Sequence, residues 1–292
     1  MGTSTNFATP TGGDWRDLKR DITDRLNGDI QVSPDQIIGG TLAAAGGFGN
    51  PISVPVPSGM PSGGVPSGRT GGGGRRSTGG GGGGSGGRGG RGARAVGGRT
   101  TVGRAVAGLG GFGETLRAQG LDAALAALGL HELQGKPAAE VIARIAEHLA
   151  EDLPETQGEI LTTALREAIF EVAALEGDRT YQNLEASLQS FLSREGIEGL
   201  IECFLSKIVF DRVWFYIESH VQRKADVSEG RALASAVESS VQGHVRTLIK
   251  EKKSAGRFEN LDWFGTAGHQ FGQDLATDLE NRLQALHTPR ST

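Results

Sequence analysis

Residues 197–221 read IEGLIECFLSKIVFDRVWFYIESHV, and this stretch decides the fold. Its apolar residues recur at helical spacing, with none of the strict alternation of a half-buried strand. It is also the most apolar part of the chain, so it is expected to be the central helix of a core. Glu202, Lys207, Asp211 and Arg212 interrupt its apolar run between Leu200 and Ile217. No stretch of roughly 18 uninterrupted apolar residues exists, so no transmembrane helix is expected.

The same period continues on both sides. Downstream, Leu233, Val237, Val241, Val245 and Leu248 form one stripe within Val227–Lys252. Trp263 and Phe264 lead into a last helix carrying Phe271, Leu275, Leu279, Leu283 and Leu286. Upstream, Tyr181, Leu184, Leu188 and Phe191 form a stripe, preceded by Ile160, Leu161, Leu165, Ala168, Ile169 and Val172 in a helix starting at Pro154-Glu155. Pro137–Ala150 places Val141, Ile142, Ile145 and Leu149 on one face. Val102–Leu109 and Leu121–Leu128 read as small-residue helices. The fold class is therefore all-α: an irregular bundle of about six to eight helices over residues 100–292.

Residues 46–99 belong to a different physical regime, rich in Gly, Pro, Ser and Arg. Gly71–Gly98 contains 17 glycines, too few packing side chains to offset the entropy of ordering. The expected organisation is a tip over 1–45, a disordered linker over 46–99 and a helical domain over 100–292. In the tip, Trp15, Leu18, Ile22 and Leu26 make one stripe on an otherwise charged helix. A helix this short is marginal alone, so it should dock, either on the C-terminal body or on a partner. Ser33-Pro34-Asp35 is a strong helix start, although Gly39-Gly40 should weaken the helix that follows.

Net charge is −4, unevenly placed. Arg69–Arg104 holds eight Arg and no acidic residue, whereas 105–292 holds 18 basic and 28 acidic groups. The basic segment makes Arg75, Arg76, Arg88, Arg91, Arg94 and Arg99 candidate nucleic-acid contacts. However, no Phe or Tyr is interleaved among them, and a solubilising linker is the competing reading. The glycine run is no phosphate loop, for it lacks Lys and a preceding strand.

Cys203 is the single cysteine, which excludes an intrachain disulfide and fits a reducing cytoplasm. Its apolar helix suggests core packing rather than a catalytic thiol. The histidines at 131, 148, 220, 244, 269 and 287 show no ligand spacing, so no metal site or cofactor is expected. His220, next to Glu218, reads as part of an exposed helix-end pair. No carboxylates form a recognisable acid/base pair, and the chain is not expected to be an enzyme. A basic-plus-apolar signal region is missing from the N-terminus. Asn6 stands where myristoylation wants Ser or Thr, but Gly2, bared by removal of Met1, is a reachable nucleophile for conjugation.

The start Met1-Gly2-Thr3-Ser4-Thr5, the Gly/Pro patch behind it, the long Gly/Ser/Arg-rich region and the helical C-terminal part together resemble the QatB family. QatB proteins are components of the bacterial Qat antiphage system. The resemblance implies a defence operon whose other members are an ATPase, a homologue of the deazapurine-forming enzyme QueC and a TatD-like nuclease. QueC-like enzymes of defence systems can attach a deazapurine to a protein N-terminus. Carried onto this chain, the acceptor is Gly2, with Thr3, Ser4 and Thr5 as its recognition context and Trp15, Leu18 and Ile22 as further partner-recognition residues. The alternatives are a nucleic-acid-binding adaptor using the arginines, and an enzyme whose site is assembled across the helical body.

Overall fold

The helix that contains residues 197–221 is longer than its apolar stretch. In the computed structural model, α7 spans Tyr181–Lys224. Thr180 caps its start by accepting the Asn183 N–H at 3.3 Å. It bends at Gly196, whose φ of 73° and ψ of −176° lie where a side chain would be strained. The bend separates two stripes that the sequence reads as two helices: Leu184, Leu188 and Leu192 before it, and Leu200, Ile201, Phe204, Leu205, Val209, Val213 and Ile217 after it, all buried.

The structure describes residues 13–28, 32–48, 98–151, 155–174 and 180–287. Around α7 stand α1 (Gly13–Leu26), α2 (Pro34–Ala45), α3 (Gly98–Gln119), α4 (Leu121–Ala127), α5 (Ala138–Leu149), α6 (Glu155–Ala173), α8 (Val227–Ser254) and α9 (Thr266–Gln284), with one 3-10 turn at His131–Leu133. Among the described residues there is no strand, and no helix is long and apolar enough to cross a membrane. The helix α7 packs against α1, α2, α3, α5, α6 and α8, and α3 lies along α9. The expected helices over 100–292 are all present. The expected linker falls almost wholly outside the described residues, except that Gly46, Gly47 and Phe48 continue the packed structure and Gly98 already belongs to α3.

The helix α3 runs past Leu109, where the small-residue pattern suggested it would stop. The reason is tertiary. A Cβ on Gly110 would lie 2.0 Å from the Trp263 ring, so the bare backbone there is the surface on which that ring packs. Further along, a Cβ on Gly272 of α9 would lie 2.1 Å from the Gly103 carbonyl oxygen of α3. These two helices touch backbone to backbone, which only glycine allows. Trp263, Phe258 and Phe271 cluster nearby, Phe271 edge-on to both other rings, with centroids 5.0–6.1 Å apart.

Candidate functional site

The described residues 13–28 and 32–48 form a pair of helices, a hairpin seated on the C-terminal helices, and this seat carries polar contacts between residues far apart in the chain. The helix α1 begins behind Gly13 with an acid, Asp14, in its first turn, and its buried face is Trp15, Leu18 and Ile22, at 4%, 2% and 0% exposure. The Lys19 ammonium lies over the Trp15 ring, 5.3 Å from its centroid. The helix α2 starts in a capping box: the Ser33 hydroxyl accepts the Gln36 N–H, and the Gln36 side chain accepts the Ser33 N–H. Such a box satisfies two otherwise orphaned donors. Ile37, Ile38 and Leu42 are then fully buried. Gly39 does not merely weaken the helix: a Cβ there would lie 2.5 Å from the His287 backbone nitrogen at the end of α9.

The helices α7 and α8 add polar anchors at different points of the seat. From α7, the His220 Nε2 lies 3.1 Å from both the Thr23 hydroxyl and the Lys19 carbonyl oxygen of α1. Burial pulls the His220 imidazole below its ordinary value, against the hydrogen bond to Lys19, which favours the proton. His220 is thus 8% exposed and buried under α1, not an exposed helix-end residue. Glu218 instead accepts from the Gln222 amide on the surface. From α8, the Ser240 hydroxyl donates to Asp35 in the first turn of α2, and His244 Nε2 lies 3.2 Å from the same carboxylate.

The third anchor closes the hairpin. The helix α2 ends on Gly46 in the left-handed conformation (φ 74°), and the chain turns so that the Gly47 carbonyl accepts a 2.7 Å bond from Arg212 Nη2. The Arg212 guanidinium also lies over the Phe48 ring, 5.9 Å from its centroid, with Phe48 itself 1% exposed. Burial lowers the Arg212 pKa, while Tyr216 and Glu280 work to hold the charge. Glu280, on α9, is 1% exposed and accepts from the Gln284 amide at 3.2 Å. A buried guanidinium on a carbonyl oxygen is a strong, charge-assisted bond. The pattern of the sequence gives this away only indirectly, through an arginine in the middle of the most apolar helix.

A second group of titratable side chains lies along α6, α7 and α8. Lys207 bridges Glu171 at 3.1 Å and Glu238 at 3.3 Å. Beside it, burial and the Glu167 charge push the Asp211 carboxyl up to about 7. Burial, with Glu171 and Glu202, pushes the Cys203 thiol up to about 12, which keeps it protonated and poorly nucleophilic. Among the described residues no three His, Cys, Asp or Glu side chains are arranged to hold a metal ion. An open cavity of about 360 Å³ between α8 and α9 is lined by Lys252, Arg257 and Arg282. Their charges are taken by Asp278 at 2.5 Å, Asp274 at 3.8 Å and Glu251 at 2.7 Å.

Of the residues singled out in the sequence, Trp15, Leu18 and Ile22 are brought together, and they are spent on the chain's own core rather than left open to a partner. Gly2, Thr3, Ser4 and Thr5, and the arginines at 75, 76, 88, 91 and 94, lie outside the described residues. Arg99 falls in the first turn of α3, its side chain outside the description. Arg212, Asp35 and Phe48 were given no site role from the sequence, and they hold the hairpin, with the Glu280 charge supporting Arg212.

A family model described as QatB, Qat anti-phage system associated protein QatB, matches residues 86–261. That stretch covers α3 to α8; α1, α2 and α9 lie outside it. No curated protein and no solved structure matches the chain.

Proposed function

The chain belongs to the QatB family of Qat anti-phage system associated proteins, and from that premise we propose that it is a non-enzymatic component of the defence assembly. In this reading it presents Gly2 for conjugation by a QueC-like partner, while its helical body docks on other subunits, the ATPase and the TatD-like nuclease among the candidates. It acts in the bacterial cytoplasm. The observation that supports the reading is the seat of α1. Three buried side chains and His220 fix the chain from Gly13 onward, so any enzyme that engages residues 2–12 works against a rigid stem. Thr3, Ser4 and Thr5 then supply the local recognition context, ahead of the anchored Trp15.

The test is the mass of the N-terminal peptide of the protein made with its genomic neighbours and made alone. An added mass on Gly2 only in co-expression, and loss of phage protection in a Gly2→Leu variant that retains Met1, are the expected results. A bare Gly2 in both preparations, with full protection by Gly2→Leu, refutes the reading.

The uneven charge supports one alternative, a nucleic-acid-binding adaptor. Eight arginines without an acid between residues 69 and 104 would release counterions from phosphates. That reading requires salt-sensitive binding that disappears when Arg75, Arg76, Arg88, Arg91, Arg94 and Arg99 are neutralised together.

A further inference from the structure

We infer that residues 13–48 are an intramolecular ligand of the face formed by α7, α8 and α9, and hence that this face is a binding site for an amphipathic helical hairpin. The inference stands apart from whether Gly2 is modified. Residues 49–97 separate the hairpin from α3. A chain of that length can reach roughly 160 Å when extended, so covalent linkage does not hold the hairpin on its seat. Non-covalent contacts do.

The hairpin's apolar side chains join the same hydrophobic core as those of the body, and the contacts that hold them there have an apolar centre with polar anchors around it. The hairpin carries its own internal contact, α1 against α2. Its apolar side chains, Ile22, Ile37, Ile38 and Leu42, are fully buried at the centre. The polar anchors stand around them, two from α7 and one pair from α8: His220 on the Lys19 carbonyl and Arg212 on the Gly47 carbonyl, and Ser240 and His244 on Asp35. An apolar centre supplies affinity and a ring of polar contacts sets register. Each anchor meets a carbonyl or a carboxylate of the hairpin, so the site is selective for a hairpin that offers acceptors at those three points. The natural occupant is this chain's own segment. Its departure would uncover the face.

The experiment uses the full chain with one protease recognition sequence placed among Gly79–Gly84, cut under native conditions. Light and isotopically heavy preparations are each cut, mixed at micromolar concentration and followed by size-exclusion chromatography and native mass spectrometry. The expected result is that the two pieces co-elute and that mixed light–heavy pairs form over time. In a chain carrying both Ile22→Asp and Leu42→Asp, binding of the cut pieces should weaken roughly a hundredfold or more, because two carboxylates would enter an apolar centre. The pieces of that variant should then separate. Circular dichroism of each cut sample reports whether the body keeps its helices. Separation of the unsubstituted pieces, absence of mixed pairs, loss of body helicity on cutting, or continued co-elution of the double variant would each overturn the inference.

Discussion

Asp211 stands half-buried on α7 with its Oδ2 buried and without a hydrogen-bond partner among the described residues. Burial and the Glu167 charge lift its carboxyl from 3.8 to about 7, against the pull of Lys207. In the unfolded chain the same group releases its proton near its ordinary value. Between about 4 and 7 the folded protein therefore holds a proton that the unfolded chain has lost. Stability must fall as pH rises through that window and level off above it. A shift of this size corresponds to an upper bound of about 4 kcal/mol. Asp211 is only partly buried, so solvent screening reduces the effect to about 1–2 kcal/mol. Asp211→Asn removes the titration while keeping the shape. Urea unfolding of both proteins at pH 4, 6 and 8 isolates the contribution, since all other titrating groups are common to the pair. The variant should match the parent at pH 4 and exceed it by about 1–2 kcal/mol at pH 8. A difference that is the same at every pH, or a variant less stable than the parent at pH 8, refutes the assignment.

Two glycines on neighbouring helices should respond in opposite directions. Gly272→Val drives a side chain into the Gly103 carbonyl oxygen of α3 and should cost about 1–3 kcal/mol, whereas exposed Gly243 in α8 meets nothing within 4 Å and Gly243→Ala should add about 0.5–1 kcal/mol. Thermal melts of the two variants beside the parent check both. Burial lowers the His220 pKa in the folded protein, so the unfolded chain takes up a proton first as pH drops below the usual histidine value of about 6.5, and stability falls there. His220→Gln should flatten the acid side of the stability profile, as read by urea unfolding at neutral and mildly acidic pH. An unchanged profile in the variant would remove His220 from the account.

Much of the architecture was legible because helices announce themselves locally. The capping signal at Ser33-Pro34, the stripe of Val237, Val241, Val245 and Leu248, and the break ahead of Ile197 all follow from side-chain spacing and backbone preference within a turn or two. The glycines misled for a physical reason. Gly39 and Gly110 look like weak points in isolated helices, yet each is where a backbone or ring from a distant part of the chain makes a close approach. His220 was misread in the same way, since its burial comes from α1, about two hundred residues earlier in the chain. The first residues and the layout carry the resemblance seen in the sequence, whereas the family model matches residues 86–261, most of the helical body.

Local periodicity, composition and charge thus determined the all-α class, the helix positions and the separate basic segment, because each depends on residues near one another in the chain. The tertiary structure decided where the hairpin goes. It turned Trp15, Leu18 and Ile22 from an open apolar stripe into core, made Arg212 the group that holds the chain behind α2, and put Asp35 under Ser240 and His244. A burial site for one helix is made of side chains from several others, and no local pattern encodes which of them will meet.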